Sequence, residues 1–121
     1  MRSMWSPLAV NPPRWQNTRL MPKLYEYFGL IVLFYSNEHE PLHVRGKCKV
    51  REGKAELVVV NGSVSEIKYS SVRGRRPLTR PEMKKFQTLT EHFADEIVQK
   101  WIDYFVLHRQ IEAKQITQRI K

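Results

Sequence analysis

The chain has 121 residues, 41% hydrophobic and 27% charged, with 21 Lys and Arg against 12 Asp and Glu for a formal net charge of +9. That length holds one domain with a modest core, not two, and the composition is that of a globular protein rather than a disordered polar chain. The cation excess favours a polyanionic partner: nucleic acid, an acidic protein or a membrane surface.

Cys48 is the one cysteine, so no disulfide framework forms within the chain, which fits a reducing compartment. The longest apolar run, Leu30 to Phe34, is too short to cross a bilayer, and no apolar stretch follows Arg2 to act as a signal peptide. A cytoplasmic protein without a membrane partner is expected.

Residues 1–20 hold three of the seven prolines and no acid, and show neither helical nor strand periodicity. They are expected to be a disordered N-terminal extension. Met21-Pro22 looks like a start in its own right, which leaves Met1 and Met21 as alternative initiators. Residues 21–107 are expected to form a single α+β domain, and 108–121 a polar C-terminal tail that only Ile111, Ile116 and Ile120 could anchor.

Gly29 to Ser36, "GLIVLFYS", is β-branched and aromatic and predicts a central strand covered on both faces. Tyr25, Tyr27 and Phe28, just before it, are expected to cap the core. The polar loop "NEHEPL" follows, broken by Pro41.

His43 to Val50 alternates. Val44, Gly46, Cys48 and Val50 take one side, and Arg45, Lys47, Lys49 and Arg51 continue the other, which predicts a half-buried strand with a basic outer face. Glu52-Gly53 is expected to make a tight turn, with Lys49 opposite Glu56 and Cys48 opposite Leu57. Ala55 to Val60 returns, "NGS" turns again, and Val64 to Val72 forms the third strand. A two-residue second loop would set Glu66 opposite Leu57 and bury a charge. A three-residue loop sets Ile67 opposite Leu57 and Lys68 opposite Glu56, and is preferred because a one-residue slip inverts the faces. The outer face then carries the row Lys49, Glu56, Lys68.

Thr79 and Glu82 have capping-box spacing, with Pro81 in the first turn. Met83, Phe86, Leu89, Phe93, Ile97, Trp101 and Phe105 then recur every three or four residues, which predicts one long helix over about 80–107. Glu96 and Lys100 have the spacing of an i,i+4 pair. The fold class expected is α+β: a small, mainly antiparallel sheet of about four strands packed against one long C-terminal helix.

Two features carry candidate chemistry. His39 and His43 lie four apart with Glu38 beside the first, a set that offers metal ligation or general acid–base work in a small hydrolase or nuclease. Pro41 opposes the helix that would align the histidines, no third strong ligand is near, and no metal or other cofactor is expected. The plain alternative is a polar turn. The second feature is basic. Arg73, Arg75, Arg76 and Lys84 cluster around the single acid Glu82, and Arg45 and Lys47 add to them from the strand. Guanidinium groups suit phosphates, and such clusters bind nucleic acid without base specificity. No helix-turn-helix, zinc finger, phosphate loop or nucleophile elbow is present.

"MPKLYEYFGLIVLFYSNEHEPLHV", followed by a short hairpin and the helix containing "VQKWIDYF", resembles the bacterial family of small uncharacterised proteins called domain of unknown function 4160. The resemblance covers about residues 21–107. Its most specific part is E-H-x-P-x-H, at Glu38, His39, Pro41 and His43. Leu42 stands where a second proline is usual, and Arg45 where a third histidine is common. The family has no established activity. The resemblance implies the fold, a start at Met21, and a pairing with a cognate small protein from a neighbouring gene, in a toxin–antitoxin-like or regulatory module. The function expected is therefore a basic, non-enzymatic binding protein that contacts nucleic acid or an acidic partner through Arg45, Lys47, Arg73, Arg75, Arg76 and Lys84. The residues choose neither a ligand nor an oligomeric state.

Overall fold

The structure is a computed structural model and describes residues 22–34 and 42–120. The predicted N-terminal extension and the loop holding Glu38, His39 and Pro41 lie outside the described residues. Among the described residues the fold is α+β, with a sheet of seven strands rather than four. In chain order the strands are β1 (Lys23–Tyr27), β2 (Leu30–Phe34), β3 (His43–Cys48), β4 (Arg51–Val60), β5 (Ser63–Ser71), β6 (Arg76–Pro77) and β7 (Lys114–Ile116). Helices α1 (Arg80–His92) and α2 (Ala94–Trp101) and a π-helical turn (Ile102–Val106) stand between β6 and β7. The spatial order is β5-β4-β3-β2-β1-β7, with β6 beside β4. The pairings of β6 with β4 and of β7 with β1 are parallel; the rest are antiparallel.

β2 is interior, as its composition predicts, but it is not covered equally on both faces. Leu30, Val32 and Phe34 are buried, while Ile31 and Leu33 are only half-buried among the charged residues of the outer face. β3 alternates in the same sense, with Val44 fully buried and Lys47 exposed.

The β3–β4 turn does not lie at Glu52-Gly53. It falls at Lys49-Val50, with Lys49 in the left-handed region at φ 58° and Val50 exposed. Cys48 therefore faces Arg51, and His43 rather than Lys49 faces Glu56. The outer row becomes His43, Glu56, Lys68. This register brings Gly46 opposite Gly53. A Cβ on Gly46 would stand 2.8 Å from Phe86 Cδ1, and one on Gly53 would stand 3.0 Å from Leu78 Cδ1. The two glycines are thus the floor on which α1 rests. Phe86, wholly buried there, contributes about 1.5–3 kcal/mol from removal of its ring from water.

The β4–β5 register is the expected one, with Leu57 opposite Ile67 and Glu56 opposite Lys68, but it is reached differently. The loop is the two-residue Asn61-Gly62 turn, with φ 53° and 82°. Val58 faces Glu66 while Val59 faces Val64, so Ser65 is an extra residue, and its hydroxyl donates to the Val58 carbonyl at 3.3 Å. The bulge restores the faces that the short turn would have inverted.

α1 opens on the predicted capping box. The Glu82 N–H donates to Thr79 Oγ1 at 3.3 Å and the Thr79 N–H donates to Glu82 Oε1 at 2.9 Å. The single long helix is not observed. Phe93, at φ −106° and ψ 20°, divides α1 from α2. Its ring stacks on Tyr25 with centroids 4.7 Å apart, so the bend follows from seating Phe93 on the twisted sheet. The apolar stripe survives the bend: Phe86, Leu89, Ile97 and Phe105 are buried, with Met83, Phe93 and Trp101 packed against them.

The segment after 107 carries β7, and Ile111, Ile116 and Ile120 pack against the core. Glu96 feels the charge of Lys100, as its i,i+4 spacing predicts, and makes its hydrogen bonds elsewhere. It accepts from the Tyr25 hydroxyl at 2.5 Å and from Lys114 Nζ at 3.2 Å. Among the described residues no helix is long and apolar enough to cross a membrane.

The glycine floor sets a measurable cost. Gly46→Ala should lower unfolding free energy by about 1–3 kcal/mol through overpacking against Phe86. Gly53→Ala should cost less, because Leu78 and Met83 meet it with flexible side-chain ends. Urea titration of both variants checks the order; equal, negligible shifts would contradict the close approach.

Candidate nucleic-acid interface

The ladder registers sort the charged residues along the strands. The β1–β2 turn at Phe28-Gly29, the β3–β4 turn at Lys49-Val50, the exit of β5, all of β6 and the start of α1 share one end of the sheet. β7 runs parallel to β1, so the residues after Ile116, including Arg119, reach that end too. The same end thus holds Lys47, Lys49 and Arg51 from β3–β4, Arg73, Arg75 and Arg76 from the β5–β6 link, and Arg80, Lys84 and Lys85 from α1. His43 begins at the opposite end.

Among the described residues, three acids approach this cationic end, and each is engaged. Glu52 is buried and accepts from Arg45 Nη1 at 3.2 Å and pairs with Arg75 Nε at 3.3 Å. Glu82 is committed to the α1 cap, where the Thr79 N–H above all, with Cys48, the Thr79 hydroxyl and Arg51, holds its carboxyl below the usual range against the opposing effect of burial. Glu26 pairs with Lys23 at 3.0 Å.

The expected contact residues divide accordingly. Lys47, Arg73, Arg76 and Lys84 are exposed. Arg75 is mostly exposed but spans to Glu52, which ties the β5–β6 link to the sheet. Arg45 lies along the outer face with its side chain only 17% exposed, bonded to Glu52. Of the histidine loop, Glu38 and His39 lie outside the described residues. His43 is half-buried with Nε2 3.8 Å from Glu56 Oε1. Among the described residues no three His, Cys, Asp or Glu side chains group as a metal site. Cys48 is half-buried, and burial, then the neighbouring Glu82, pushes its thiol upward.

Sequence reasoning missed two contributors. Phe28, expected in the core, is 43% exposed at the β1–β2 turn. Arg119, in the expected polar tail, places its guanidinium 4.5 Å from the Phe28 ring centroid. The signal was the Phe-Gly pair itself, which reads equally well as a strand end. The C-terminal segment is held by Lys114, which lies 5.1 Å from the Phe93 ring centroid and bonds Glu96, and by the Ile120 N–H donating to Tyr27 Oη at 3.1 Å.

No family model, curated protein or solved structure matches the chain.

The Glu96 clasp is pH-sensitive. Burial alone would raise the Glu96 carboxyl, yet the Tyr25 hydroxyl and the Lys114 ammonium hold it below the usual range. A lowered folded value means that its stabilisation is present above the unfolded value, about 4.3, and is lost as pH falls through the folded one. Protection of the amides at 114–116, taken relative to their intrinsic exchange rates at each pH, should therefore fall below about pH 4, and Glu96→Gln should remove that loss of protection. An unchanged profile in the variant would show that Glu96 does not hold the segment.

Proposed function

We propose that the chain is a non-enzymatic polyanion-binding protein whose ligand is nucleic acid, engaged through the cationic end of the sheet. One observation carries this reading. Cations from four separate parts of the chain converge on one end, while the acids nearby are each occupied by a partner. Phosphate contacts of this kind supply affinity without sequence readout. The anchoring cations are Lys47, Arg73, Arg76 and Lys84, with Arg75 sharing its charge with Glu52. Arg45 serves the sheet.

The hydrolase or nuclease reading of His39, His43 and Glu38 has less support. At roughly 3.3 Å per residue, the length of β3 separates His43 from the cationic end by about 17 Å. A strand held by the cations therefore does not lie on the histidine. Membership of the domain of unknown function 4160 family, with a cognate small protein as second partner, belongs to the same proposal and is carried by Glu38, His39, Pro41 and His43.

Fluorescence anisotropy with a labelled 20-mer should show binding at low salt that weakens steeply as salt rises. The double variant Arg73→Ala/Arg76→Ala should reduce the slope of log K against log salt by about 2. Absence of salt-dependent binding would overturn the proposal. Polyglutamate binding as tightly as the oligonucleotide would redirect it to an acidic protein.

A further inference from the structure

Two turns in this molecule share a backbone shape and differ in sequence. Asn61-Gly62 has φ 53° and 82°, and Phe28-Gly29 has φ 47° and 87°. Each joins two antiparallel strands across two residues. Asn-Gly is the favoured pair for this geometry, because Asn tolerates the left-handed region and Gly enters it freely. A phenylalanine there is a steric outlier. Packing does not explain the choice. The Phe28 ring is not part of the buried core; it touches Tyr27 edge-on with centroids 5.1 Å apart and remains 43% exposed.

The surroundings of the ring are cationic. Lys85 Nζ donates to the Phe28 carbonyl at 2.8 Å and fixes the turn to α1. The Arg119 guanidinium stands 4.5 Å from the ring centroid. Beside them runs an open groove of about 420 Å³, lined by Tyr27, Lys84, Lys85, Thr88 and Arg119 among others. An exposed ring, a guanidinium plane over it and flanking ammonium groups are the components by which proteins hold unpaired bases: the flat groups take the base and the cations take the backbone. A paired base keeps its faces inside its own stack and offers them to nothing.

We infer that Phe28 and Arg119 form a stacking platform that makes the cationic end selective for single-stranded over duplex nucleic acid. This rests on the nucleic-acid reading above and narrows it to a ligand class. Lys84 and Lys85 contact the phosphates on either side of the stacked base. The base either takes the outer face of the guanidinium or displaces it from the ring, and in both cases loss of the ring removes the platform.

The test compares labelled single-stranded 12-mers of deoxythymidine and of uridine, an abasic 12-mer of the same charge and a 12-bp duplex, at one salt concentration. Phe28→Gly is the informative variant, because glycine relieves the left-handed backbone and the fold should be at least as stable. It should weaken single-strand binding by about 5- to 100-fold and change duplex and abasic binding by less than about twofold. Phe28→Trp should retain single-strand binding. Arg119→Lys, which keeps the charge and loses the plane, should weaken the single strand selectively. Equal loss on all ligands, or no loss in Phe28→Gly, would overturn the platform while leaving salt-dependent binding standing. Failure of every ligand to bind at low salt would overturn both readings together.

Discussion

Helix α1 lies as close to the sheet as it does because Gly46 and Gly53 present no Cβ where Phe86, Leu78 and Met83 descend. Much else follows from that contact. It sets the β3–β4 register, since the two glycines must face each other, and so it sends the turn out to Lys49-Val50. The register in turn places Glu52 where Arg45 and Arg75 both reach it. It also brings the start of α1, with Arg80, Lys84 and Lys85, down to the end of the sheet where Lys47 and Arg73–Arg76 already lie. A bulkier pair at 46 and 53 would lift the helix and dissolve the convergence of charge.

Glu52 is the electrostatic hinge of that convergence. A buried carboxylate is costly unless it is paired and hydrogen-bonded. Here two guanidinium groups satisfy it, one from the strand beside it and one from the β5–β6 link. The link is held against the sheet by an acid that is itself hidden, so the attachment adds little negative potential to the surface around Arg73 and Arg76. Lys47 and Arg76 lie beside this buried, paired acid, and the partly exposed Glu26 near the same end is itself paired with Lys23.

The parts of this structure legible in the sequence are those fixed by local chemistry. The dry and cationic sides of His43 to Cys48, the capping box at Thr79 and the stripe from Met83 to Phe105 follow from spacing alone. So does the Leu57–Ile67 pairing, because burying Glu66 is worse than any loop cost, although the Ser65 bulge that achieves it leaves no mark in the residues. The misses are tertiary. Glu52-Gly53 has better turn chemistry than Lys49-Val50, but Gly46 and Gly53 are taken up by the close approach of Phe86, Leu78 and Met83. Nothing local bends the helix at Phe93; Tyr25, nearly seventy positions earlier, does. β7 is three residues long and polar, and its partner β1 lies at the other end of the chain. Within the site, Arg73, Arg76, Lys47 and Lys84 were legible as a charge cluster. Arg119 was not, because its membership depends on that distant parallel pairing.

The bulge at Ser65 bears also on what the sheet rejects. β5 is an edge strand of nine residues, and a long flat edge is a template on which other chains add strands. An extra residue kinks it away from straightness, and Glu66 and Lys68 set opposite charges along its rim. The far edge, β7, offers only three residues. Among the described residues, neither of these two borders invites edge-to-edge growth into fibrils. On the polyanion proposed above as ligand, neighbouring copies would meet at high local concentration, and blunted borders would keep them dispersed.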